Sequence, residues 1–185
     1  MANLVLKRFK CVEDTDEIGG ESPYFITWVG DVRQGESTLK LTRKTYWDNN
    51  VSKGPAAWPV DDVVSTGLSL NPSDTLALAM MIEKDEGIDV VTSEIDAIRG
   101  STATVLRNHE GFMASDPNFI STMRNTLEGK IKQALQSSAG ADDDLMEESG
   151  HRAARIIDLR GGAGELTVVV FKGGGGRYEV IYART

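Results

Sequence analysis

Residues 80–89 read MMIEKDEGID, an apolar run that breaks into Glu83, Asp85, Glu86 and Asp89 around one glycine. The full segment before it, TLALAMMIE (75–83), is short and continuously apolar, which fits a buried strand and is equally open to a helix by propensity. From Val90 the texture changes. Val91, Ile95, Ile98, Thr102, Val105 and Leu106 recur at steps of three and four, the spacing of one helix face. The acidic stretch therefore marks where a strand-rich half of the chain gives way to helices.

Upstream, NLVLKRFKCV (3–12) alternates through Leu4, Leu6 and Val12, and SPYFITWVGD (22–31) is rich in aromatic and β-branched residues, so both read as strands. STLKLTRKTYW (37–47) alternates again. DNNVSKGPAAWPVDD (48–62) reads as a loop because its prolines cannot donate to a ladder, with VVSTGLSL (63–70) as the next strand and NPSD as a turn. Downstream, Asp116 suits an N-cap and Pro117 the first helical position. Phe119, Ile120, Met123, Leu127, Ile131 and Leu135 then form the stripe of a second helix that ends before SSAGA. The last segment, ELTVVVFKGGGGRYEVIYART (165–185), places two alternating runs around Gly173 to Gly176, the pattern of a hairpin.

Strands at both ends with about 50 helical residues between them are most simply a mainly β chain, an antiparallel β-sandwich closed by strands from both termini. The expected organisation is a single domain over 1–185 with a helical insertion at 90–141. Its length suits one substantial core.

The chain has 28 Asp and Glu against 20 Lys and Arg, a formal charge of -8, which disfavours a nucleic-acid backbone as partner and favours cations or basic surfaces. The single cysteine, Cys11, allows no intramolecular disulfide, and no Cys/His set has zinc spacing. No segment approaches the roughly 20 apolar residues of a membrane span, and the N-terminus lacks a secretory pattern, which leaves a cytoplasmic location or export by a non-classical route.

The acidic residues fall in three groups at strand ends: EDTDEIGGES (13–22), IEKDEGID (82–89) and DDDLMEES (142–149). Calcium takes six to eight oxygen ligands from carboxylates and carbonyls on flexible loops. Asp14, Asp16 and Glu21 with Glu83, Asp85 and Asp89 supply that number where their loops converge, and Asp142, Asp143 and Asp144 stand at the far end of the helical segment. The competing reading is of ordinary solvated loop charges. The stripe of Phe119, Met123, Leu127 and Ile131 has two readings as well, packing on the sandwich or forming a surface for a protein or membrane partner. His109 and His151 are the only histidines and assemble no catalytic triad by spacing. Tyr24, Trp28, Tyr46, Trp47 and Trp58 are candidates for a sugar platform or for core.

The stretches VEDTDEIGGESPYFITWVGD (12–31), LALAMMIEKDEGID (76–89) and DDDLM (142–146), with the terminal YEVIYA strand, resemble the C2-type calcium-binding β-sandwiches. The resemblance implies Ca2+ held by the acidic loops and a non-enzymatic binding module that engages a protein or membrane surface. The alternatives are a small secreted, toxin-like membrane-active effector and a carbohydrate-binding sandwich. The chain departs from the C2 pattern at Glu21 and Glu83, where aspartates are commoner, and in its helical segment.

Overall fold

The computed structural model describes residues 2–13, 23–43, 53–83, 90–137, 144–148, 150–173 and 175–185. Strands β1 (Leu4–Glu13), β2 (Pro23–Asp31), β3 (Glu36–Thr42), β4 (Trp58–Ser65) and β5 (Thr75–Glu83) precede helices α1 (Val90–Asn108) and α2 (Pro117–Ser137). The short strands β6 (Asp144–Leu145) and β7 (Arg155–Ile156) and the long β8 (Leu166–Gly173) and β9 (Gly176–Arg184) follow. The first sheet has the order β4-β1-β9-β8. The second has the order β3-β2-β5-β6, with β7 also pairing β5. All pairings are antiparallel, so the mainly β, sandwich reading of the sequence holds at this level.

Two cores explain the pattern of burial. Leu4, Leu6, Phe9, Val169, Phe171, Val180 and Tyr182 from the first sheet meet Phe25, Val29, Ala77, Ala79 and Met81 from the second. On the other face of the second sheet, Tyr24, Ile26, Trp28, Leu78, Met80 and Ile82 meet Ile98, Leu106, Phe119, Met123, Leu127 and Ile131 of the helices. The layers are therefore sheet, sheet, helices. Every residue of β2 and β5 is buried, because both faces of these central strands are covered. That is why TLALAMMIE reads as continuously apolar rather than alternating.

The helices fill the chain between β5 and β6, and β6 returns beside β5, with Glu83 opposite Asp144. Asp116 caps α2 as expected: its Oδ1 accepts from the backbone N–H groups of Asn118 at 2.8 Å and Phe119 at 3.0 Å. The 165–185 hairpin also forms, with Gly173 opposite Gly176 and Gly175 at φ 84, a left-handed turn conformation that glycine adopts without steric cost.

Two strand readings are corrected. In β1 the inward residues are Leu4, Leu6, Phe9 and Cys11, while Val12 is only partly buried. Both ladders of β1 shift register between Leu6 and Arg8, and this irregularity at Lys7 moves the alternation by one residue. The proline-bearing segment read as loop supplies β4 from Trp58 onward. Pro59 is tolerated there because β4 stands at the edge of its sheet among the described residues.

A third correction concerns the helices. Phe119, Met123, Leu127 and Ile131 are at most 1% exposed and pack on the second sheet. A partner docking on the folded chain does not reach them. Tyr24 and Trp28 are likewise fully buried and offer no platform for a sugar, and Trp58 stacks on Phe9 with ring centroids 6.4 Å apart.

Candidate functional site

The strand registers gather one end of the molecule. In the second sheet, Pro23 at the start of β2 stands opposite Glu83 at the end of β5, Glu83 stands opposite Asp144, and Thr42 at the end of β3 stands opposite Phe25. In the first sheet, Glu13 at the end of β1 pairs with Arg177, beside the turn of the β8–β9 hairpin. Contacts between the sheets show that these are the same end. A Cβ added at Gly173 would lie 2.7 Å from the Glu147 nitrogen and 2.9 Å from its oxygen, and Lys172 reaches Glu148 at 3.9 Å. Gly54 N–H donates to Cys11 O at 3.4 Å and Met146 N–H to Met81 O at 3.0 Å.

The described strand ends at this end of the molecule flank four segments of the sequence: 14–22, 44–52, 84–89 and 138–143. Together they hold ten Asp and Glu and two Lys, whereas the rest of the chain holds eighteen acidic and eighteen basic residues. The formal charge of -8 thus belongs wholly to these segments, and the remainder is neutral. The charge asymmetry was readable as three acidic clusters. That they leave from neighbouring strand ends is set by the registers alone.

Of the expected cation ligands, Asp14, Asp16, Glu21, Asp85, Asp89, Asp142 and Asp143 lie outside the described residues. Glu83 and Asp144 are brought side by side by the β5–β6 register. Glu83 is 4% exposed and shares the face of β5 that carries Ala77, Ala79 and Met81, so its carboxylate stands at the mouth of the space between the sheets. Among the described residues no group of three or more His, Cys, Asp or Glu side chains is arranged to hold a metal.

Other chemistry-bearing groups are spread over the rest of the described chain. His109 Nδ1 lies 2.8 Å from Val105 O, and the ring packs against Phe112 and Phe119 at centroid distances of 5.4 and 5.3 Å. His151 is exposed and 3.8 Å from Glu148. Between the sheets, Thr27 Oγ1 and the Tyr182 hydroxyl are hydrogen-bonded at 3.1 Å, and burial pushes the Tyr182 phenol well above its ordinary range, only partly offset by that bond. A groove of about 480 Å³ at the start of β5 is lined by Thr75, Leu76, Ala114, Ile120, Ile156 and Leu159 among others, far from the acidic end.

No local pattern of residues marks the bond that ties α2 to the chain before β7. Glu128 accepts from Arg152 Nε at 3.2 Å and from Ala154 N–H at 2.9 Å, and its second oxygen lies 3.0 Å from Arg152 Nη2. The partners are more than twenty residues apart, outside the range of helix-periodicity signals. Among the described residues no helix is long and apolar enough to cross a membrane. Comparison with known proteins finds nothing similar: no protein-family model, curated protein or solved structure matches the chain.

Proposed function

We propose that the chain is a non-enzymatic, C2-like binding module in which the helical pair is an insertion, and that its acidic end takes up Ca2+ to engage a protein or membrane surface. One observation supports this reading: the described strand ends that flank the four charge-bearing segments of the sequence lie at a single end of the sandwich. Where those segments converge, their ten carboxylates repel one another, and a divalent cation with six to eight oxygen ligands relieves that repulsion. Asp14, Asp16, Glu21, Asp85, Asp89, Asp142 and Asp143 are the proposed ligands, with Glu83 and Asp144 at the base of the segments that bear them.

The test is thermal unfolding in calcium chloride, in chelator, and in sodium chloride of matched ionic strength. Calcium at about 100 times its dissociation constant stabilises the fold by roughly 2.7 kcal/mol, and Asp85→Asn removes most of that gain. Coincident curves in calcium and chelator, or a gain that sodium reproduces, would sink the reading, since screening alone then accounts for the effect.

A further inference from the structure

An open sheet must dispose of its edges, because an edge strand offers a row of unpaired N–H and C=O groups to any extended chain. On one side of this sandwich the edges are closed. β4 carries Pro59, which has no N–H, and Asp61 at φ 50, and its ladder with β1 shifts register twice. Its neighbour across the layers, β3, is tied to it by Thr38 Oγ1, which donates to Val64 O at 3.4 Å, and by Thr42 Oγ1, which donates to Asp62 at 2.8 Å. Lys40 reaches the same Asp62 at 3.6 Å.

On the other side, β8 has none of these devices. Among the described residues it pairs with β9 alone, in a ladder without a register shift, and its sequence LTVVVFKG holds no proline and one charge, Lys172. The hairpin decides which backbone groups are free. Only two residues separate Gly173 from Gly176, and residues paired at that separation exchange both of their hydrogen bonds; such pairs then alternate along the ladder. Phe171, Val169 and Thr167 therefore give their N–H and C=O to β9, while Lys172, Val170, Val168 and Leu166 point theirs outward. No hydrogen bond from another described element reaches the backbone of these four. Their side chains share the outer face of the sheet, where Leu166 and Val168 are 55% and 53% exposed. The chain arriving from β7 passes on the inner side instead, where Thr167 Oγ1 donates to Asp158 O at 2.9 Å.

We propose that β8 is a dimerisation edge: a second copy of the chain adds its own β8 antiparallel to this one about a two-fold axis, doubling the four-stranded sheet. An antiparallel edge is complementary to itself, and the register centred on Val169 engages all four outward residues of both copies. It sets Val168 opposite Val170 of the second copy and Leu166 opposite Lys172 of the second copy. Two bonds for each pair make about eight between the chains, within the range of a specific interface. The β-branched pairs on the outer face add cross-strand contact. Charge agrees with this occupant. At each end of the joined strands Lys172 of one copy comes beside Glu165 of the other, so opposite charges meet. β8 also runs toward the end whose strand ends flank the acidic segments of the sequence, so antiparallel joining sets those ends of the two copies apart. A contact one strand deep buries little area, which makes the dimer weak and concentration-dependent. The inference does not depend on the cation reading of the acidic end.

The experiment is sedimentation equilibrium of the full chain from micromolar to near-millimolar concentration, with amide hydrogen exchange at both ends of the series. The wild type passes from a mass of 20.1 kDa toward twice that value. On association the amides of Leu166, Val168, Val170 and Lys172 gain protection, while those of Thr167, Val169 and Phe171, already bonded to β9, are protected throughout. Val168→Lys places a charge in the joined edge, and Val170→Pro removes an outward N–H without touching the β9 ladder. Each weakens association at least tenfold with an unchanged circular dichroism spectrum, and Val63→Lys, on the outer face of β4, leaves it as in the wild type. Association lost in Val63→Lys and Val168→Lys but kept in Val170→Pro gives the contact to the outer sheet face and overturns the edge pairing. A chain that is monomeric at every concentration overturns it too, even where an added protein protects the same four amides, since the occupant is then not a second copy.

Discussion

Leu127→Ala discriminates most directly between a helical pair that belongs to the core and one that serves as a recognition surface. Leu127 is 1% exposed and sits in the stripe that packs on Tyr24, Ile26, Trp28 and Met80. Removing three buried carbons forfeits about 2.4 kcal/mol of transfer free energy at roughly 0.8 kcal/mol each. The cavity left between helix and sheet brings the expected total to about 3–5 kcal/mol, because a site covered by a rigid sheet relaxes little. For a chain of this size each kcal/mol moves the thermal midpoint by about 2–4 °C, so the shift is roughly 6–20 °C. The assay is urea denaturation followed by circular dichroism and tryptophan fluorescence, with the slope unchanged so that the midpoint reports stability. Met113→Ala, at a residue 62% exposed in the connection between the helices, is the internal control and costs about 0.5 kcal/mol or less. A Leu127→Ala cost below about 1 kcal/mol would refute the three-layer packing, since no buried leucine truncation is that mild.

Two further outcomes follow from single contacts. A Cβ on Gly30 would run into the Trp28 ring, which lies across it on the helix-facing side of β2, so Gly30→Ala forces the ring off its rotamer at about 1–3 kcal/mol. Near-ultraviolet circular dichroism reads the displaced indole, and an unchanged spectrum with unchanged stability contradicts the contact. Side-chain and backbone hydrogen bonds from Arg160, at 2.6 to 3.1 Å, hold the Asp158 carboxyl down to about 2. The depressed folded value means that the pair's contribution is present above the ordinary aspartate range, near 3.9, and is lost as pH falls through about 2. Both side chains are well exposed, so solvent screening keeps its effect on stability small. Carboxyl NMR titration of Arg160→Gln reads Asp158 returning toward its ordinary value, and a midpoint unmoved by the substitution refutes the assignment.

The parts of the fold legible in the sequence are those fixed by neighbours along the chain. Asp116 and Pro117 set the start of α2 through bonds to the next turn, and the glycine run sets the β8–β9 hairpin through one backbone conformation. The stripe Phe119–Ile131 was legible as apolar, but not its destination, because 3.6-residue periodicity identifies a buried face without naming what covers it. Local rules also misled where tertiary context changes their meaning. The alternation in β1 breaks at Lys7 through a register shift that composition does not signal. Pro59 argued against a strand only until its place at an edge was known. For the candidate site, charge was legible and convergence was not. Glu83 reads simply as the end of an apolar run, and only the Pro23–Glu83–Asp144 register shows it to stand where three acidic segments of the sequence begin or end.

That register also bears on where binding can occur. The central strands β2 and β5 of the second sheet are covered on both faces, by the first sheet and by the helices, so their side chains are committed to the two cores. Chemistry open to solvent is left to strand ends, seams between layers and outer faces. The described body, with balanced acidic and basic residues, exerts little net long-range field, and the whole net charge falls in the sequence segments flanked by the strand ends of one end. In the proposed reading, approaching cations or basic surfaces are drawn to that end before any contact forms.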